Sequence, residues 1–198
     1  MSDHRDHAAG GHGEHRHHDH DADDHDADDH DHHHHGTDET LDVAVLTISS
    51  SRSSDEDESG PVASRAIEDA GHRVAVTDVV ADDEAAIRER VETLAGERAD
   101  GETVDVIVTT GGTGLTPDDV TIEAIRPLLD PEIPGVGEYF RRLSHEQVGT
   151  AAMLTRATAG IVGETAVYAF PGSPDAIALG VESVLLPEVG HVVGLARR

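Results

Sequence analysis

The chain has 198 residues, 41 aspartates and glutamates, 14 arginines and no lysine or cysteine, for a net charge of −27. Without cysteine there are no disulfides, no thiolate catalysis and no cysteine-bound zinc or iron–sulfur cluster. Without lysine there is no lysine Schiff base, and so acidic a chain repels nucleic acid, which binds through basic patches.

The first 36 residues are low in complexity and hold all the histidines except His72, His145 and His191. With almost nothing apolar beyond alanine, this tail cannot bury enough surface to offset its ordering entropy and is expected to be disordered. Its mixed imidazoles and carboxylates, His32, His33, His34 and His35 among them, suit Ni, Zn, Cu or Co. The alternative is a solvated acidic tail with incidental metal affinity. The expected division is a tail over 1–39 and an α/β domain over 40–198. The domain is acidic in its own right, with 28 acids against 12 arginines after residue 40. Excess acid with no lysine fits a protein kept soluble in high salt, a halophilic reading; a GC-rich genome that swaps lysine for arginine is the alternative.

From Leu41 the pattern becomes that of a folded domain. "LDVAVLTI" (41–48) reads as a buried strand, 60–71 as a helix ending at glycine, and "HRVAVTDVV" (72–80) as a second strand. Residues 82–99 form an amphipathic helix with Ile87, Val91 and Leu94 at helical spacing. A third strand spans 103–110, and helices follow over 119–129 and 136–149. A fourth strand spans 166–172, and the last helix is expected over 173–189. Alternating strands and helices predict a parallel α/β sheet with ligands beyond the carboxyl ends of its strands. No apolar run approaches a membrane span, and the N-terminus is polar rather than signal-like. The expected location is the cytoplasm, with no membrane or nucleic-acid partner.

Three polar turns fall at strand ends: 47–60, 109–119 and "FPGSPD" (170–175). The middle one, "TTGGTGLTPDD", has glycines but no P-loop lysine. Gly111, Gly112, Thr113 and Gly114 read either as a tight turn or as a cradle in which a phosphate approaches backbone N–H groups. Asp118 and Asp119 read either as helix caps or as Mg²⁺ ligands, because bare carboxylates repel phosphate. In the last turn, Ser173 caps a helix that Pro174 opens.

"TTGGTGLTPDDVT", "GEYFRRLS", "LTRATAGIVG" and "FPGSPDAI" together resemble the MogA/MoaB family of molybdenum cofactor biosynthesis proteins, from about residue 41 to the C-terminus. The resemblance implies an α/β three-layer sandwich with a mostly parallel central sheet, the molybdopterin-binding fold. It also implies a homotrimer or homohexamer, and a stand-alone module that hands its product to a downstream molybdotransferase. In the adenylyltransferase members, molybdopterin and Mg-ATP give adenylyl-molybdopterin and pyrophosphate. By that likeness Asp119 and Asp82 are the catalytic, Mg²⁺-holding acids. Gly111, Gly112, Thr113 and Gly114 form the phosphate turn, and Ser49, Ser144, Pro171, Gly172 and Ser173 line the pocket. Arg156 is either a phosphate contact or a structural ion pair. Asp118 stands where many adenylyltransferase members carry arginine, so it weakens anchoring or adds a metal ligand. The "GEYFRRLSHEQVGT" segment is similar to the MoaB branch, whereas Asp82 and the "PDDVT" context favour activity. Two alternatives stand beside adenylylation: a non-catalytic molybdopterin-binding protein, and a metal-delivery protein acting through its tail.

Overall fold

The computed structural model describes residues 39–49, 58–96 and 104–198. The expected tail, with His32 to His35, lies outside them. Five strands form one sheet in the order β2-β1-β3-β5-β4, comprising β1 (Asp42–Ile48), β2 (Arg73–Val80), β3 (Val106–Thr110), β4 (Thr158–Val162) and β5 (Thr165–Phe170). β2, β1, β3 and β5 run parallel, and β4 pairs antiparallel with β5 at the edge. The fold is the expected α/β sandwich.

Alternation along the strands builds the layers, because successive side chains point to opposite faces. Val43 and Val45 of β1, Val106 and Val108 of β3, and Tyr168 and Phe170 of β5 face one side. They pack there with α1 (Ser59–Asp69), α4 (Pro134–Val148), α5 (Pro174–Gly180) and α6 (Val189–Ala196). Ala44, Leu46, Ile48, Ile107, Val167 and Ala169 face the other side, against α2 (Glu84–Ala95) and α3 (Thr121–Ile125). The α2 residues Ile87, Val91 and Leu94 are all buried there, each burial worth roughly 1.5–3 kcal/mol.

Four details depart from the sequence reading. β4 is an additional strand: "TAGIV" is short and small, and it takes strand form by pairing with β5 across a turn at Gly163, φ +62°. The helix over 119–129 shortens to α3 and a 3₁₀ turn at Arg126–Leu128, since Pro127 has no N–H to give an α-helical bond. The final helix breaks into α5, a π turn at Val181–Leu185 and α6; Pro187 separates the last two and fits helix interiors poorly. The N-cap of α2 is Asp83, which accepts from Ala86 N–H at 2.9 Å; Asp82 lies one residue earlier.

Candidate functional site

The strand order places β1 beside β3, although β2 intervenes in sequence. The chain leaves β1 toward one edge and returns on the other side, which creates a crevice at the carboxyl ends of the two central strands. Ser49 follows β1 at its floor, its N–H donating to Val80 O at 2.9 Å. The glycine turn follows β3, and Pro171 and Gly172 follow β5. Gly111 N–H donates to Phe170 O at 3.0 Å, and Thr110 Oγ1 to Pro171 O at 3.2 Å. A Cβ on Gly172 would stand 3.1 Å from Gly111 Cα. Ser49, the glycine turn, Pro171 and Gly172 thus share one edge. Ser173 beside them caps α5, accepting from Ala176 N–H at 3.4 Å.

Glycine is required at two positions of the turn. Gly111 and Gly112 have φ of +106° and +64°, and a Cβ would stand 2.5 Å from Ile48 O at the first and 2.1 Å from Thr121 Oγ1 at the second. The left-handed conformation disfavours side chains, and here there is no room for one either.

The backbone polarity of the turn is sorted. Thr121 Oγ1 donates to Gly111 O at 2.9 Å, and Thr121 N–H to Gly112 O at 3.1 Å. Arg156 N–H donates to Thr113 O at 2.9 Å, and its guanidinium to Gly114 O at 2.8 Å and Asp119 O at 2.7 Å. Five carbonyls are therefore occupied by donors from α3 and from the segment before β4. Among the described residues, the N–H groups of Gly112 and Thr113 have no acceptor. Gly112 is half-buried and Thr113 buried, and a turn whose carbonyls are satisfied while N–H groups stay unpaired favours an anion without any lysine.

Asp119 lies at this turn and is folded back on it. Its Oδ2 accepts from Thr116 N–H at 2.8 Å and Thr116 Oγ1 at 2.6 Å, while Asp119 N–H donates to Thr116 O at 3.0 Å. Burial pushes the Asp119 carboxyl up. Hydrogen bonds from Thr116 and the Gly114 N–H, with the Arg156 charge, outweigh it and hold the pKa below the ordinary 3.8. The N-cap of α3 is Val120, with no side-chain cap, so neither aspartate of the pair occupies that cap. Asp118 is exposed.

Arg156 reaches Glu123 as well as the two carbonyls. It is half-buried behind the turn, in the arrangement of a structural clamp. Asp82 follows β2, one strand beyond β1, and Ser144 is buried on α4 rather than on a strand-end turn. Thr116, Thr121 and Glu123 are the site residues that the sequence reading passed over. Thr116 had a local signal, the S/T-x-x-acid spacing of a reciprocal bracket. Glu123 had none, because its partner lies 33 residues away.

Among the described residues, no three His, Asp or Glu side chains converge on a metal position. The donor chemistry still fits Mg²⁺, which is held by one or two carboxylates with waters and substrate phosphates. Asp119 is kept ionised at the turn. Asp82 follows β2, two places from β3 in the sheet order, and carries the carboxylate oxygens that such an ion takes through water or directly.

Residues 44–191 match the family model described as a probable molybdopterin binding domain. The chain is 44% identical over 149 residues to molybdenum cofactor biosynthesis protein B of Bacillus cereus, covering 75% of this chain and 86% of that protein. A crystal structure of a molybdenum cofactor biosynthesis protein B superposes with a TM-score of 0.75 at 41% identity, over 81% of this chain and 98% of the other. The tungsten cofactor synthesizing protein MoaB of Pyrococcus furiosus superposes with a TM-score of 0.66 at 39% identity, over 81% and 99%.

Proposed function

The chain belongs to the MogA/MoaB family of molybdenum cofactor biosynthesis proteins, and from that premise we propose that it adenylylates molybdopterin with ATP. The observation that carries this reading is the lysine-free turn: five occupied carbonyls, N–H groups without an acceptor at half-buried Gly112 and buried Thr113, and an ionised Asp119 beside them.

In this reaction an oxygen of the molybdopterin terminal phosphate bonds to the α-phosphorus of ATP. The bond from that phosphorus to the bridging oxygen breaks, and pyrophosphate leaves. Such a transfer depends on positioning the phosphates in line and compensating their charge. Gly112 and Thr113 offer N–H donors to a phosphate, and the lack of side chains at Gly111, Gly112 and Gly114 lets the turn pack against Ile48, Thr121 and Asp119. Ser49, Pro171, Gly172 and Ser173 border the same crevice, with Ser144 in the supporting helix α4. Arg156 acts through the turn, with three of its N–H groups already used. Asp119 and Asp82 would hold Mg²⁺, with exposed Asp118 in reserve, and the ion when bound would supply positive charge to the phosphates. The working site is the cytoplasm, where ATP and a downstream molybdotransferase are available.

Self-association as a trimer or hexamer belongs to the same proposal. Tyr139, Val148, Met153 and Leu154 are exposed on α4 and the 3₁₀ segment Gly149–Leu154, and large apolar groups clustered on a surface favour association. The alternative of a non-catalytic molybdopterin-binding protein is favoured by one observation: relatives 44% and 43% identical to this chain are named protein B rather than for a transfer reaction. Incubating the protein with molybdopterin, Mg²⁺ and ATP separates the two. Adenylylated pterin and stoichiometric pyrophosphate are expected; pterin binding without either product establishes the alternative.

A further inference from the structure

Among the described residues, the turn's five carbonyls are engaged by two, Thr121 and Arg156. Thr121 opens α3, so its place is fixed by that helix. Arg156 has no such support, because it precedes β4 in an irregular segment. A long cationic side chain loses considerable rotamer freedom when held in one pose, and among the described residues Glu123 is the one carboxylate that its guanidinium meets. Glu123 projects from the first turn of α3, two residues after Thr121. One short helix therefore carries both the direct tether of Gly111 and Gly112 and the anchor for the arginine that holds Gly114 and Asp119.

We propose that Glu123 is a positioning residue, which orients Arg156 so that the turn keeps its carbonyls engaged and its Gly112 and Thr113 N–H groups unpaired and available to a phosphate. Glu123 touches no substrate in this arrangement. Its carboxylate accepts from one arm of the guanidinium, leaving Nε for Gly114 and the other arm for Asp119. The planar fork of arginine makes the three contacts at once, and lysine cannot. Without Glu123 the guanidinium is free to swing to solvent. The Gly114 and Asp119 carbonyls then lose their donors, and a carbonyl turning outward would oppose a bound anion.

The structural half of this proposal is independent of the reaction, and the kinetic half rests on the adenylyl-transfer reading. The test compares Glu123→Ala, Glu123→Gln and Arg156→Lys in the full chain, by amide hydrogen exchange and by steady-state kinetics. Exchange over residues 111–121 should quicken about two- to fivefold in Glu123→Ala, the scale of an exposed ion pair. It should quicken less in Glu123→Gln, which keeps an acceptor, and at least about tenfold in Arg156→Lys, which loses charged hydrogen bonds to two carbonyls. Peptides of β1 and β3 should exchange as in the wild type, which separates loosening of the turn from global unfolding. KM for ATP should rise by a similar factor in Glu123→Ala, with kcat within about twofold. Unchanged exchange over 111–121 in Glu123→Ala would overturn the proposal. So would a fall in kcat at constant KM, or faster exchange with both constants unchanged. Faster exchange in variants of a protein whose wild type forms no adenylylated product upholds the clamp and removes the adenylyl-transfer reading instead.

Discussion

Thr121 Oγ1 donates to Gly111 O at 2.9 Å, and the same Thr121 Oγ1 lies 2.1 Å from where a Cβ on Gly112 would sit. The tether and the space filled by the tether are one group. Gly112→Ala must displace it, besides placing alanine at a φ of +64°. We expect this variant to lose roughly 2–4 kcal/mol of stability, from backbone strain and a displaced buried hydrogen bond. Urea unfolding at fixed pH measures it. A loss under 0.5 kcal/mol would mean the turn accepts a side chain.

Asp119 tests the metal-holding assignment. Asp119→Asn keeps size and removes charge, and should lower turnover by roughly 10²–10³, the usual loss of one preorganised electrostatic group. Molybdopterin binding should change little by comparison. Turnover near that of the wild type removes Asp119 from the site.

The pH dependence of that carboxylate follows from its depressed pKa. The folded value lies below the ordinary 3.8, so the stabilisation is fully present above the unfolded value of about 3.9. It is lost as pH falls through the folded value. Wild type and Asp119→Asn should therefore differ in stability by a constant amount from pH 5 to 8, and converge below about pH 4. Acid titration followed by circular dichroism measures this, and convergence near neutrality would assign the effect to another group.

Asp118 is exposed beside Asp119, and exposed substitutions usually change stability by less than about 0.5 kcal/mol. Asp118→Arg should leave the unfolding midpoint in place and lower KM for ATP by adding a cation near the phosphate turn. A raised Mg²⁺ requirement instead makes Asp118 a metal ligand.

The histidine-rich segment is testable from composition alone. Removing residues 1–39 leaves only His72, His145 and His191, and Ni²⁺ or Zn²⁺ binding measured by calorimetry should largely disappear. In the full chain that binding should weaken below about pH 6.5, as imidazole protonates. Adenylylation and the oligomer seen by light scattering should survive truncation. Lost turnover would favour metal delivery through the tail.

The central strands and α2 were legible because their burial follows a simple period, as with Ile87, Val91 and Leu94. The glycine turn was legible because positive φ leaves a mark on composition. β4 was not, because Thr158–Val162 becomes a strand only through its partner β5. The work done by Arg156 was also hidden, since a lone arginine looks alike whether it faces a ligand or a carbonyl. Its three acceptors, Gly114, Asp119 and Glu123, lie 42, 37 and 33 residues away in the chain, and no local pattern spans such separations.

If the unpaired N–H groups of Gly112 and Thr113 hold a phosphate, there is a consequence for ionic strength. A flexible lysine recruits phosphate partly from a distance, and mobile ions blunt that pull once the Debye length shrinks to about 3 Å in molar salt. Backbone dipoles fixed in a turn act only at touching range, inside that length, where no counterion fits between donor and acceptor. A cradle of this kind gives up long-range capture and keeps its grip in brine.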